Sequence, residues 1–262
     1  TISLKYNLTD KSYIKYTANL YSSSPSLSDL ENVEQIVDSM QIRRGNSQLK
    51  PYMVYAHSLN YEMSKGIFNG GVYVGHRYSD NPIMESTTLE NGKFVRSMEN
   101  QKSWQRLNTE VSISVKPFKN LLTMKFSGGM AHFDSRGLNY HHTYTNWYYN
   151  GTLNATYKDW SLYGNIKKGR NNLYGETMSR NENFHSIGMN YRHKSLTLGM
   201  MTLNPFTKTW KGGDDNYNAL APSKERIYIG NLSRMMVFSV SYNFNFGRKF
   251  SSVEKRLNNE DK

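Results

Sequence analysis

A chain of 262 residues is long enough for one large all-β domain or two small ones. Yet only 37% of it is hydrophobic while Tyr alone occurs 20 times, which suits a lipid headgroup boundary better than a dry core. With no cysteine it has no disulfide framework, thiolate zinc site or cysteine nucleophile, no run approaches the roughly twenty apolar residues of a transmembrane helix, and its net charge of +12 is scattered over turns and loops.

That scatter, without a basic helix or a nucleic-acid module, favours a solvated rim facing anionic outer-membrane lipid over nucleic acid as the partner. Strand-like segments first occupy 1 to 8 and 12 to 21 about the turn Thr9-Asp10-Lys11. Thr1 already stands inside this pattern, with no initiator Met or signal peptide before it, so the sequence reads as a fragment or a processed piece. A long polar connection follows, from about 22 to 51. Within it Ser28-Asp29-Leu30-Glu31 fits a capping box, and Leu30, Val33, Val37 and Met40 at roughly helical spacing predict a short helix from about 29 to 39.

Strands over 52 to 63 and 67 to 78 meet at Ser64-Lys65-Gly66. In the next long connection, about 80 to 103, Asn91-Gly92 between two short strand-like runs predicts a hairpin from Met84 to Met98. Leu107, Thr109, Val111, Ile113 and Val115 then alternate with Asn108, Glu110, Ser112, Ser114 and Lys116. The chain turns at 117 to 120 and returns through Leu122, Met124, Phe126, Gly128 and Met130. Trp147 to Tyr157 and Trp160 to Ile166 form another hairpin about Lys158-Asp159, and 183 to 192 with 195 to 203 a further one about His193-Lys194. The clearest strand is Met236 to Phe246, with Met, Phe, Val and Tyr on one face and mostly Ser and Asn on the other.

The count is about eleven. Tight turns near 10, 65, 118, 158 and 194 alternate without a break with long connections at about 22 to 51, 80 to 103, 134 to 143, 171 to 182 and 204 to 233. A Greek-key sandwich mixes its connection lengths, whereas a membrane barrel has short periplasmic turns and long outer loops. The expected fold is therefore all-β, an antiparallel transmembrane β-barrel over 1–247 followed by a polar periplasmic tail over 248–262. An odd number of strands would leave two edges unpaired in hydrocarbon, so the eleven should be part of a larger wall.

The segment Gln41-Ile42-Arg43-Arg44-Gly45-Asn46-Ser47-Gln48-Leu49-Lys50-Pro51 resembles the Gly-Asn-Pro-x-Leu-Lys-Pro segment that leads from an outer loop into a descending strand in Bacteroidetes outer-membrane barrels of the TonB-dependent receptor type. Gly45, Asn46, Leu49, Lys50 and Pro51 carry the motif, with Ser47 in place of the usual Pro and Tyr52 in place of the common Glu. The ending from Phe238 to Gly247 is similar to that family's aromatic terminal strand. On that resemblance Tyr242, Phe244 and Phe246 would be the signal read by barrel-assembly machinery. The resemblance implies a barrel of about 22 strands, of which this chain is the C-terminal half, an N-terminal plug, and a short segment that engages an energy-transducing periplasmic protein.

Little in the sequence suggests chemistry. His141 and His142 are adjacent, so on an extended chain they point to opposite sides, and Asp214 and Asp215 after Gly212-Gly213 read as an acidic loop tip. No phosphate loop, nucleophile elbow or helical His-Glu pair occurs, so no catalytic residue, metal or cofactor is expected. Tyr140, His141, Trp147, Trp210 and Tyr217 lie on or near outer loops, where they would serve either as stacking faces for a ligand or as girdle and loop packing. The functional expectation is part of a transporter that moves a bulky nutrient inward by releasing a plug. A structural or adhesive barrel without transport, and an outer-membrane hydrolase, are the alternatives.

Overall fold

The computed structural model describes residues 1–118, 121–207, 210–229 and 234–244. The chain opens with the hairpin β1 (Ile2–Thr9) and β2 (Ser12–Ser23), followed by one helical turn, α1 (Leu27–Leu30), and the short strands β3 (Glu34–Ile36) and β4 (Gln41–Arg44). The hairpin β5 (Tyr52–Lys65) and β6 (Phe68–Asp80) leads into a smaller one, β7 (Ile83–Glu90) and β8 (Lys93–Asn100). Four long strands come next: β9 (Ser103–Val115), β10 (Leu122–Arg136), β11 (His141–Tyr157) and β12 (Trp160–Lys168). After β13 (Asn172–Tyr174) and β14 (Thr177–Arg180), β15 (Phe184–His193) and β16 (Leu196–Leu203) form another hairpin. The chain finishes through β17 (Trp210–Asn216), β18 (Ser223–Lys224), β19 (Ile227–Ile229) and β20 (Met235–Tyr242).

Eleven of these strands form one sheet in the order β1-β2-β5-β6-β9-β10-β11-β12-β15-β16-β20, so each strand pairs with its predecessor among the long ones. All ten pairings are antiparallel. The eleven strands and the meander expected from the alternation are both present. Because side chains alternate across a strand, register carries the two-faced pattern across the whole wall. Val72, Val111 and Gly128 stand side by side, and one position along each strand lie Gly71, Ser112 and Ser127 on the other face. Among the described residues no second sheet packs on the apolar face: Val111 is 59% exposed and Val240 74%. In a water-soluble sandwich that face would be buried against a second sheet. Among the described residues no helix is long and apolar enough to cross a membrane, but these strands have the length to do so.

The connections at one end are tight. At the other end they build two further sheets, β3-β4-β8-β7 and β13-β14-β17-β18 with β19 also on β17. The β7–β8 hairpin turns through Asn91 and Gly92 at φ 50° and 76°, the left-handed pair that an Asn-Gly hairpin turn needs.

Two expectations are corrected. The helix expected over 29 to 39 is a single turn, capped by Ser26, whose hydroxyl accepts from the Asp29 N–H at 3.3 Å, and residues 34–36 are strand. Val33, Ile36 and Val37 are exposed, so no apolar face is buried to hold a helix, whereas the strand pairs Glu34 with Arg44 and forms a 2.6 Å ion pair there. The connection at 134 to 143 is not a long loop either. β10 and β11 stay in register out to Arg136 opposite His141, leaving only residues 137–140 as the turn of a hairpin that projects past the wall.

The main buried core lies at the looped end. Met84, Trp104, Ala131, Phe133, Leu173 and Met178 are buried together, with Tyr144, Tyr148 and Tyr174 against them. Register places Trp104, Ala131, Phe133, Tyr144 and Tyr148 all on the polar face of the wall. The loops therefore fold inward over that face.

Candidate functional site

The outer end of the polar face is capped by loop strands that Trp104 anchors. Its parity with Asn108 and Glu110 along β9 turns it inward, its indole N–H donates to the Leu173 carbonyl at 2.7 Å, and the Tyr174 ring meets it edge-on at 5.6 Å. The Tyr174 hydroxyl donates to the Ile83 carbonyl at 2.9 Å, so one residue of the later loop ties the earlier loop to the wall. Burial and the neighbouring Tyr52 raise the Tyr174 phenol well above its ordinary value, so it stays a donor at any physiological pH.

Beside this core, His142 lies between Tyr140, stacked at 5.3 Å, and Tyr217, tilted at 5.7 Å. Its Nε2 is 3.6 Å from Glu176 Oε1, and Glu176 accepts from Asn218 Nδ2 at 2.5 Å. The Tyr140 hydroxyl donates to Met84 Sδ at 3.3 Å, and burial pushes its phenol up to about 12. Thus two of the aromatic residues picked out by sequence, Tyr140 and Tyr217, come together, but around His142. His141 points to the opposite face as adjacency requires, 3.2 Å from Asp134, which also takes two 3.0 Å bonds from Arg136. Trp147 is 64% exposed on the apolar face beside Met130, where a girdle residue stands. Trp210 opens β17 opposite Ile229.

The Gly45 to Pro51 segment braces the outer loops. A Cβ on Gly45 would meet the Glu31 carbonyl, so only glycine fits. The Asn46 N–H donates to the Asp29 carbonyl at 2.6 Å and its amide to the Met98 carbonyl at 3.0 Å. Leu49 is buried, the Lys50 N–H donates to Asn100 Oδ1 at 2.9 Å, and Pro51 directly precedes β5. Asn100 Nδ2 returns bonds to the carbonyls of Lys50 and Asn81, both at 2.9 Å. In the terminal strand Tyr242 pairs with Leu196 and Phe244 packs on it at 4.6 Å, whereas Phe246 and the tail lie outside the described residues.

Asp215 organises the later loop sheet. It is almost fully buried and paired with Arg180, at 2.7 Å to Nε, and with Arg226 at 2.5 Å. Burial opposes its charge, but the two guanidiniums outweigh burial and hold its carboxyl below the usual range. A depressed carboxyl contributes stability above its unfolded value of about 3.9 and loses it as pH falls through the folded value. Acidification below about pH 4 should therefore open this sheet, seen as faster pepsin cleavage beside Tyr217. Asp215→Asn should open it at neutral pH, seen as faster trypsin cleavage after Arg180 and Arg226, at a cost of about 1–3 kcal/mol, since the partly exposed arginines regain some water.

Below the cap the polar face forms a hollow of about 820 Å³, lined among others by Tyr13, Glu62, Tyr73, Glu110, Lys125 and Asn150. Sequence reasoning passed over Trp104 and Arg106 and set Arg77 and Arg170 aside as scattered loop charge, whereas Arg77 lies within β6. Counting back from Asn108 by twos would have placed Trp104 and Arg106 on this face.

A model of the outer membrane protein beta-barrel family matches residues 1–242. No curated protein matches the chain in sequence. Among solved structures, the ferric enterobactin receptor PfeA of Pseudomonas aeruginosa, in complex with BCV-L6, is similar at 17% identity with a TM-score of 0.62, covering 92% of this chain and 40% of that one. The siderophore receptor PirA of the same species is similar at 13% identity and TM-score 0.61, covering 92% and 41%. The FrpB iron transporter of Neisseria meningitidis gives 11% and 0.62, covering 92% and 38%. The likeness is one of fold, and this chain spans about two-fifths of each.

Proposed function

The chain belongs to the outer membrane protein beta-barrel family and resides in the outer membrane, and from that premise we propose that it forms part of the wall of a TonB-dependent-receptor-like transporter for a bulky nutrient. The observation that carries this reading is the inward fold of the loops. A barrel that only anchors or adheres gains nothing from burying Trp104, Leu173 and Tyr174 over its own polar face, whereas a transporter needs a shaped outer mouth above a wet lumen. The receptors and the iron transporter that share the fold support it, as does the Gly45 to Pro51 brace, which also favours a Bacteroidetes source. The rest of the wall, an N-terminal plug and an energy-transducing periplasmic protein are the partners this reading requires, and catalysis has no part in it.

Deletion of the parent gene should abolish growth on one scarce bulky nutrient. The full gene should restore growth, and a version lacking the segment that engages the energy-transducing protein should not. Growth that is unchanged on every such nutrient, with a gene that encodes no plug, would return the chain to a structural barrel.

A further inference from the structure

Three arginines gather on the polar face directly beneath the cap. Arg77 of β6 and Arg106 of β9 are register partners, and their guanidiniums lie over the Trp104 ring at 5.8 and 6.0 Å. Arg77 also lies 5.8 Å from the Tyr21 ring. Arg170, just past β12, lies over Tyr148 at 5.6 Å and reaches Asn108 Oδ1 at 3.5 Å, two positions along β9 from Arg106. The charged neighbours that act on Arg106 are the guanidiniums of Arg170 and Arg77.

Like charges directly opposite on a ladder repel, and several arginines of this chain have carboxylates: Arg44 has Glu34 and Glu90, Arg136 has Asp134, and Arg180 and Arg226 share Asp215. In the outer sheet Arg43 and Arg96 are likewise register partners without an ion pair among the described residues, but there no third unpaired arginine joins them. Among the described residues Arg77, Arg106 and Arg170 form no ion pair, Glu110 on the same face included, and Arg77 Nε is buried without a hydrogen-bond partner. Aromatic faces steady a guanidinium but do not neutralise it. Planar guanidinium forks match the two oxygens of a carboxylate or the oxygens of a phosphate.

We propose that Arg77, Arg106 and Arg170 form an anion site that takes a carboxylate or phosphate group from the lumen side. Two sources supply that chemistry: a solute held under the cap, or an acidic side chain from the remainder of the parent protein. The site rests on the polar face being the lumen, and not on transport.

The test uses the full-length parent protein in detergent at low salt, with citrate and inorganic phosphate as probes in calorimetry and thermal unfolding. A solute site gives saturable binding and a raised Tm, with affinity falling at least about tenfold in Arg106→Gln and in Arg77→Gln, and Arg106→Lys recovering only part. A site filled by an internal carboxylate gives no probe binding, and both Gln variants lower Tm. The proposal is overturned if neither probe binds and the Gln variants leave Tm unchanged or raise it, as relief of repulsion would, or if binding survives both substitutions. A protein that binds the probe yet imports nothing would sink the transport reading alone.

Discussion

Trp104→Ala should cost the loop cap about 3–5 kcal/mol, because it empties the centre of the buried cluster and orphans the Leu173 carbonyl together. Tyr174 loses the ring contact that helps hold its hydroxyl on the Ile83 carbonyl. The wall should survive, since its ladder does not pass through that side chain. Limited proteolysis of the full-length protein in detergent should therefore show rapid cuts in 169–182 and 81–102 while heat-modifiable migration of the folded barrel persists. Collapse of barrel and cap together would show that the cap is a condition of the wall and not an addition to it.

The second large effect separates the two faces of one strand. Val111→Arg places a charge on the unpacked apolar face in mid-strand, where the bilayer midplane penalty is about 2–4 kcal/mol, and Ser112→Arg turns the same charge toward the polar hollow at little cost. Urea titrations of the full-length protein folded into vesicles should show Val111→Arg strongly destabilised and Ser112→Arg near the unsubstituted protein. The reverse order would mean that the wall is turned inside out and that the membrane assignment fails.

The wall was legible because its signal is local. Alternation along Leu107 to Lys116 reports which face is wet without any knowledge of the neighbours, and the turns at Lys158 and Lys194, both at φ 51°, are marked by short polar breaks. The cap was less so, because its strands are two to eight residues long and are fixed by partners far away in sequence, as β4 is by its parallel pairing with β8. Val33 and Val37 sit at helical spacing, and that spacing lost to hydrogen bonds from β4 which no local rule contains. At the candidate site the aromatic loops were noticed, but their meeting point at His142 depends on Glu176 and Tyr217, more than thirty residues downstream. The arginines were set aside as a scattered charge, since only register reveals that Arg77 and Arg106 are neighbours.

The strictly sequential order of the wall also bears on how the molecule is made. Each long strand needs only the one before it as a template, so the ribbon can lengthen like a zipper, one hairpin at a time, and no closure has to span more than one connection. Throughout that growth the two outermost strands of the growing sheet carry bare peptide groups that lipid cannot solvate. Insertion should therefore need a host that shields both flanks until the ring is complete, and a nascent chain halted partway should be found clasped to that host rather than loose in the bilayer.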